Sequence, residues 1–223
     1  MVRWSFAASV AGVSHLIGLT WAVPAPTTAV SALERIGFDI DTPDVLTVGE
    51  VVFELVPAGS DGAGLRAWAF GGDSDETVRF DPTTLPPTEL RTRRSARRQA
   101  AHPNGVHKLD HVVAMVPRLE TSVAGLEEYV GADCRRRGEV RGLPAAFLRA
   151  GEVVLELVEM RTLAGPRLWG AAFATDDCDK TVAVIRERGG DVTEPDRAVQ
   201  GGRIAQCPGD ILGATVAFLE PAR

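Results

Sequence analysis

The chain has 223 residues, 45% apolar and 24% charged, with a formal net charge of −6. That is ordinary composition for one large folded domain or two small ones, and the acidic balance argues against nonspecific nucleic-acid binding, which needs basic surface to release counterions. The cysteines Cys134, Cys178 and Cys207 lie far apart with no Cys-x-x-Cys pair, so neither a zinc knuckle nor a disulfide framework is indicated and a reducing cytoplasm fits best.

Residues 1–30 raise the question of a secretory signal, because Arg3 is followed by an apolar run from Phe6 to Val23 and then by small residues. One basic residue is a weak start for such a signal, His15 interrupts the run, and the segment matches an internal repeat. No stretch reads as a membrane span. Val13 to Leu19 reads as a first strand. A helix follows, with Thr27 or Thr28 as its cap, Val30, Leu33 and Ile36 as its apolar stripe, and Gly37 as its stop.

Next comes Val48-Gly49-Glu50-Val51-Val52-Phe53-Glu54-Leu55-Val56-Pro57, which recurs 102 residues later as Ala150-Gly151-Glu152-Val153-Val154-Leu155-Glu156-Leu157-Val158-Glu159. In each copy the period of two sets an acid, Glu54 or Glu156, on one face of an apolar strand. A buried carboxylate is costly without a partner, so a repeated one asks for a metal, an arginine or a substrate proton. A further strand is expected at Leu65 to Phe70.

From Gly71 the apolar period fades. Residues 81–108, with Pro82, Pro86, Pro87 and Pro103, read as a linker between an incomplete N-terminal unit, 1–80, and a C-terminal unit, 109–223. The linker's Arg91, Arg93, Arg94, Arg97 and Arg98 read as a solvated helix or strap lying on acidic surface rather than a nucleic-acid arm, since no aromatic residues accompany them. At Leu109 the pattern restarts. Leu109 to Met115 is a strand whose His111 aligns with His15; a helix carries Leu119, Val123, Leu126 and Val130 and stops at Gly131. Strands at Cys134 to Val140 and Ala145 to Arg149 lead into the second glutamate strand. The last unit begins near Leu168, places Asp176 or Asp177 as a helix cap and Gly189-Gly190 as its stop, and closes with strands at Arg203 to Gln206 and Thr215 to Leu219 around the turn Pro208-Gly209-Asp210. Trp68, Phe70, Asp73 and Thr77-Val78 echo Trp169, Phe173, Asp176 and Thr181-Val182, as a degenerate second unit of a four-unit chain would.

Leu109-Asp110-His111-Val112-Val113, the run Phe147 to Val158, Ala172-Phe173-Ala174-Thr175-Asp176-Asp177 and Gly201 to Ala205 resemble the vicinal oxygen chelate superfamily, which includes glyoxalase I, bleomycin-resistance proteins, extradiol dioxygenases and methylmalonyl-CoA epimerase. The resemblance covers 109–221 well and 10–80 more weakly. It implies an α+β fold of paired βαβββ modules whose curled sheets surround a pocket, with the N-terminal module pair incomplete. It does not by itself fix a function.

In metal-using members of that superfamily each module supplies a ligand from its first strand and another, usually Glu, from its last. The matching residues here are His111 and Glu156, a donor pair suited to a divalent ion such as Zn, Ni, Mn or Fe. The final unit departs from the pattern, with Gly170 and Ala217 at the two matching positions. His15 and Glu54 would complete a His2Glu2 set if the first and third units faced each other, within a chain or across a homodimer. Each of these residues also has a structural reading, a satisfied core histidine or a hydrogen-bonded carboxylate. His111, Phe147, Trp169 and Phe218 are the expected ligand-binding residues, although the aromatic ones read equally as core; Glu156 is the catalytic residue if the protein is an enzyme.

Three classes follow. The first is a pocket protein that binds a small organic molecule, as bleomycin-resistance members do, without a full metal site. The second is a divalent-metal-dependent lyase, isomerase or dioxygenase using His111 and Glu156. The third is a protein whose pocket is filled by its own side chains.

Overall fold

The computed structural model describes residues 15–72, 84–92, 101–199, 201–208 and 211–222. Val13 and Ser14 of the expected first strand, most of the signal-like segment, Asp73, Thr77, Val78, Pro82, the arginines 93, 94, 97 and 98, and Gly209-Asp210 of the expected turn lie outside the described residues.

The first half runs β1 (His15–Val23), α1 (Pro26–Arg35), β2 (Val45–Val48), β3 (Val51–Pro57), β4 (Gly64–Gly72) and β5 (Thr88–Thr92). The second runs β6 (Val106–Val116), α2 (Leu119–Gly125, continued by a π turn at Leu126–Val130), β7 (Asp133–Val140), β8 (Leu143–Ala150), β9 (Val153–Glu159), β10 (Arg167–Thr175), α3 (Cys178–Glu187), β11 (Asp196–Arg197), β12 (Arg203–Gln206) and β13 (Thr215–Glu220). The expected linker thus contributes β5 and the first residues of β6. Gly37, Gly131 and Gly189 end or follow the helical segments in left-handed conformation (φ 85°, 70° and 77°), where the sequence places them. Asp177 caps α3 by accepting from the Lys180 N–H at 3.0 Å. Helix α1 differs from expectation: it starts at Pro26 behind Ala25 with no side-chain cap, since proline is preset for the first helical position.

The strands form two curled, unclosed sheets, β2-β3-β1-β4-β5 and β11-β12-β13-β10-β6-β9-β8-β7. In each, the two central strands are antiparallel (β1 with β4, β6 with β10) and each has a parallel partner on its outer side (β3, β5, β9 and β13). Each sheet is therefore two modules adjacent in sequence, joined at its centre, as the preference for short connections favours.

The sheets share one core. Phe38 packs edge-on against Phe173 at 5.0 Å, Phe53 lies 5.7 Å from Phe173, and Phe218 lies 6.2 Å from Phe38; all four are fully buried. Burial of this kind contributes about 1.5–3 kcal/mol per large side chain. Trp21 adds a hydrogen bond across the halves, donating from Nε1 to the Leu212 carbonyl at 3.0 Å.

A strap at 101–105 ties the halves further. Asn104, 1% exposed, donates from Nδ2 to the Ile36 carbonyl at the end of α1 (2.7 Å) and accepts from the Val106 N–H (3.0 Å), while its own carbonyl accepts from Thr181 Oγ1 in α3 (2.7 Å). His102 accepts from the Asp39 N–H through Nδ1 (3.1 Å) and reaches the Thr47 carbonyl through Nε2 (3.0 Å).

Candidate functional site

Strand alternation sends Leu155 and Leu157 into the shared core and Glu156 to the opposite, concave face of the second sheet. There Val113, Ala145, Phe147 and Val158 form a second apolar cluster, flanked by Met115, Val140, Val154 and Trp169. Ladder pairing aligns Phe147, Glu156, Val113, Gly170 and Thr215 in one row across five strands, and His111 pairs with Val154 and Ala172 two rows away, on the same face. His111 Nε2 stands 3.9 Å from Glu156 Oε2. Burial pushes the Glu156 carboxyl above its ordinary range, with nearby His111 and Arg136 partly offsetting the shift.

Three β-bulges shape this face. Ala172 pairs with His111 and Phe173 with Leu109, which leaves Asp110 as the extra residue of β6. A bulge re-aims side chains, and Asp110 Oδ2 lies 2.8 Å from His111 Nδ1. That contact orients the ring and turns Nε2 toward Glu156. Between Leu168 and Gly170 the extra residue is Trp169, which packs against the concave cluster. Between Cys134 and Arg136 it is Arg135. Arg136 covers Phe147, its Cζ 4.3 Å from the ring centroid. Neither Asp110 nor the arginines are marked by periodicity, because a bulge is visible only from the partner strand.

The register confirms which residues stand opposite His111 and Glu156. His111 pairs with Val154, two residues before Glu156, on parallel strands; Gly170 pairs with Thr215, two residues before Ala217, on the other parallel pair. Gly170 and Ala217 therefore occupy the places of His111 and Glu156 in the adjoining module. A Cβ on residue 170 would lie 2.6 Å from the Thr215 carbonyl oxygen and 2.9 Å from Thr215 Cβ, so this backbone leaves no room for a ligand side chain.

Phe218 requires a correction. It follows Ala217, which pairs with Ala172, so alternation turns Phe218 to the other face. There it is fully buried in the shared core and is not a ligand platform.

His15 also differs from expectation. The residue of β1 that pairs with Val52, as His111 pairs with Val154, is Gly18. The same register sets His15 level with Lys108, and the two do one job reciprocally. His15 lies where a Cβ on Gly151 (φ 68°), in the β8–β9 turn, would fall, and Lys108 packs less closely on Gly49 in the β2–β3 turn, 3.3 Å from where its Cβ would be. Glu54 lies on the face of β3 opposite Phe53 and Leu55, away from the shared core. Within the chain, His15, Glu54, His111 and Glu156 do not converge: among the described residues no group of three His, Cys, Asp or Glu side chains is placed to hold a metal ion. His111 and Glu156 are two donors where a catalytic zinc site usually keeps three protein ligands, and Gly170 and Ala217 supply none. A complete resident metal site does not fit the described residues of one chain.

Paired modules, a split antiparallel centre and a concave face bearing one histidine and one glutamate define a protein of the paired βαβββ class. The model of the Glyoxalase/Bleomycin resistance protein/Dioxygenase superfamily matches residues 108–221, a little over half of the chain, and the chain belongs to that superfamily. No curated protein sequence matches it. Among solved structures, a xylose isomerase-like TIM barrel/4-hydroxyphenylpyruvate dioxygenase fusion protein is similar at 16% identity and TM-score 0.65, over 92% of this chain and 48% of that one. This likeness extends the shared fold to the N-terminal half. Methylmalonyl-CoA epimerase from Mycobacterium tuberculosis is 20% identical over 53% of this chain and 91% of its own, with TM-score 0.48. The Streptomyces coelicolor epimerase in complex with 2-nitronate-propionyl-CoA is 24% identical over 53% and 99%, with TM-score 0.46. No helix among the described residues is long and apolar enough to cross a membrane.

Proposed function

We propose that this chain binds a small organic molecule on the concave face of its C-terminal sheet, holding it with Phe147, Trp169, His111 and Glu156 rather than through a complete metal site. The observation that carries this reading is the pair Gly170 and Ala217, which face His111 and Glu156 at the two remaining ligand positions. The apolar cluster supplies surface for a ligand body, and the two polar groups supply orientation, the usual make-up of a small-molecule site.

A second reading is a divalent-metal-dependent lyase, isomerase or dioxygenase in which His111 and Glu156 bind Zn, Ni, Mn or Fe and Glu156 moves a proton. It is favoured by Asp110, which orients His111 as an outer carboxylate does for a metal-binding imidazole. A homodimer belongs to this proposal as the arrangement that would bring in further donors, His15 and Glu54 of a second copy among them. The three cysteines are free, and we place the protein in the cytoplasm.

The test is elemental analysis of protein purified without chelator, alongside thermal-shift screening of metabolite and antibiotic panels with and without Mn, Ni, Zn and Fe(II). The expected result is stabilisation by an organic ligand, unchanged by metal. A stoichiometric divalent ion, together with loss of turnover in His111→Ala, would overturn the first reading in favour of the second. No response to any ligand would leave a pocket filled by its own side chains.

A further inference from the structure

The concave face carries positive charge that simple alternation would not put there. Arg135 is the extra residue of the bulge in β7, so it and Arg136 are consecutive arginines at the same point of the ladder. Arg136 lies over the Phe147 ring. Arg135 lines a cavity of about 500 Å³ together with Phe147, Leu148, Arg149 and Val154, within the usual size for a small-molecule pocket. Arg149 stands two residues beyond Phe147 on β8 and pairs with Val154 on β9, which in turn pairs with His111. Two arginines, Arg135 and Arg149, therefore line one open cavity, with Arg136 over the neighbouring Phe147 ring, in a chain whose net charge is −6.

The nearby carboxylates balance this only in part. Asp133 approaches Arg135 at 2.8 Å, and Arg149 spends one of its five donors on the Glu152 carbonyl at 2.8 Å. Glu156 pairs with Phe147 across the ladder and stands beside His111, and Asp110 is turned to His111. The planar guanidinium fork matches a carboxylate by two parallel hydrogen bonds, and Phe147 with Val154 offers the adjoining apolar surface.

Resting on the reading of this face as a small-molecule site, we infer that its ligand is an organic acid. The carboxylate meets Arg149 and Arg135 at the mouth, a planar or aromatic body lies along Phe147 and Val154, and the far end reaches His111 and Glu156. This orientation puts the ligand's fixed charge at the rim, where the arginines keep their hydration in part, and its neutral end beside the buried pair.

Calorimetric titration of the full chain with 3-phenylpropionate, with its amide 3-phenylpropionamide, and with inorganic phosphate tests this. The acid is expected to bind roughly tenfold or more tightly than the amide, the scale of one charge-assisted hydrogen-bond pair. Arg135→Gln with Arg149→Gln, both exposed positions, is expected to erase that preference, bringing the acid to the affinity of the amide with the melting temperature unchanged. Amide and acid binding equally well would overturn the inference and leave the small-molecule reading standing. Phosphate binding as tightly as the acid would overturn it too, showing arginines that gather anions without regard to the apolar body. Failure of both organic probes to bind overturns it as well, and the wider ligand panel then decides the parent reading separately.

Discussion

Replacing Gly170 with alanine tests the foundation of the site. The added Cβ would stand 2.6 Å from the Thr215 carbonyl oxygen and 2.9 Å from Thr215 Cβ. Ordinary contact begins near 3.4 Å, and the nearest atom is ladder backbone rather than a side chain that can swing away. Strand β13 has to move by several tenths of an ångström, and overpacking of this kind costs about 1–3 kcal/mol. Alanine regains about 0.5–1 kcal/mol, because glycine is disfavoured in a strand interior. With backbone as the obstacle the overpacking cost falls in the upper half of its range, so the clash wins and Gly170→Ala should destabilise by about 1–2.5 kcal/mol, lowering the melting temperature by roughly 2–4 °C per kcal/mol for a chain of this size. The matched control is Gly138→Ala on exposed β7, where a Cβ meets nothing within 4 Å; it should be neutral or slightly stabilising. Urea unfolding followed by tryptophan fluorescence gives both values, and the m-value should not change. If Gly170→Ala is tolerated as well as Gly138→Ala, residue 170 has room for a side chain and nothing steric stands in the way of a metal ligand there.

Stability should also respond to pH through His102. Burial pulls this imidazole below its ordinary value of 6.5, partly offset by its Thr47 hydrogen bond and by Asp39 and Asp41. The unfolded chain takes up the proton first, so this contribution is full above 6.5 and declines as pH falls below it. Urea titrations over that range should show the loss, and His102→Gln should flatten it. Glu156 has the opposite sign: raised above 4.5 by burial, it contributes stability fully below that value and loses it as pH rises through the folded-state pKa. Glu156→Gln should therefore gain on the parent protein as pH rises, measured by the same titrations. Asn104→Ala strands the buried Ile36 carbonyl and Val106 N–H, at about 1–3 kcal/mol for each group left unpaired. The expected loss is about 2–6 kcal/mol in urea unfolding, and a loss below about 0.5 kcal/mol would show that the strap does not hold the halves together.

Much of the architecture is legible in the residues. The repeated glutamate strands, the helix-stopping glycines and the Asp177 cap are local signals, each decided by alternation, a left-handed φ or a side chain meeting a backbone three residues away. They give two strand-helix-strand units and the place of Glu156 on the face opposite Leu155 and Leu157. The same alternation, followed one residue further, already separates Phe218 from Ala217. The pairing of His15 with His111 was different in kind. Two strands of like sequence can be aligned with either histidine or ladder position in register, and the hydrogen-bond partner, Gly18 with Val52, chose the latter.

The sequence by itself determined the module, its repeat, and the residue types available to a site: one His-Glu pair, with Gly170 and Ala217 where a second pair would stand. Only the tertiary structure decided that neighbouring modules join at the centre of each sheet, that the two sheets bury a single aromatic core, and that His15 supports a turn. It also decided what surrounds His111 and Glu156. Asp110, Trp169 and Arg135 reach the concave face because each is the unpaired residue of a bulge, and a bulge is a mismatch between two strands that neither strand's own sequence contains.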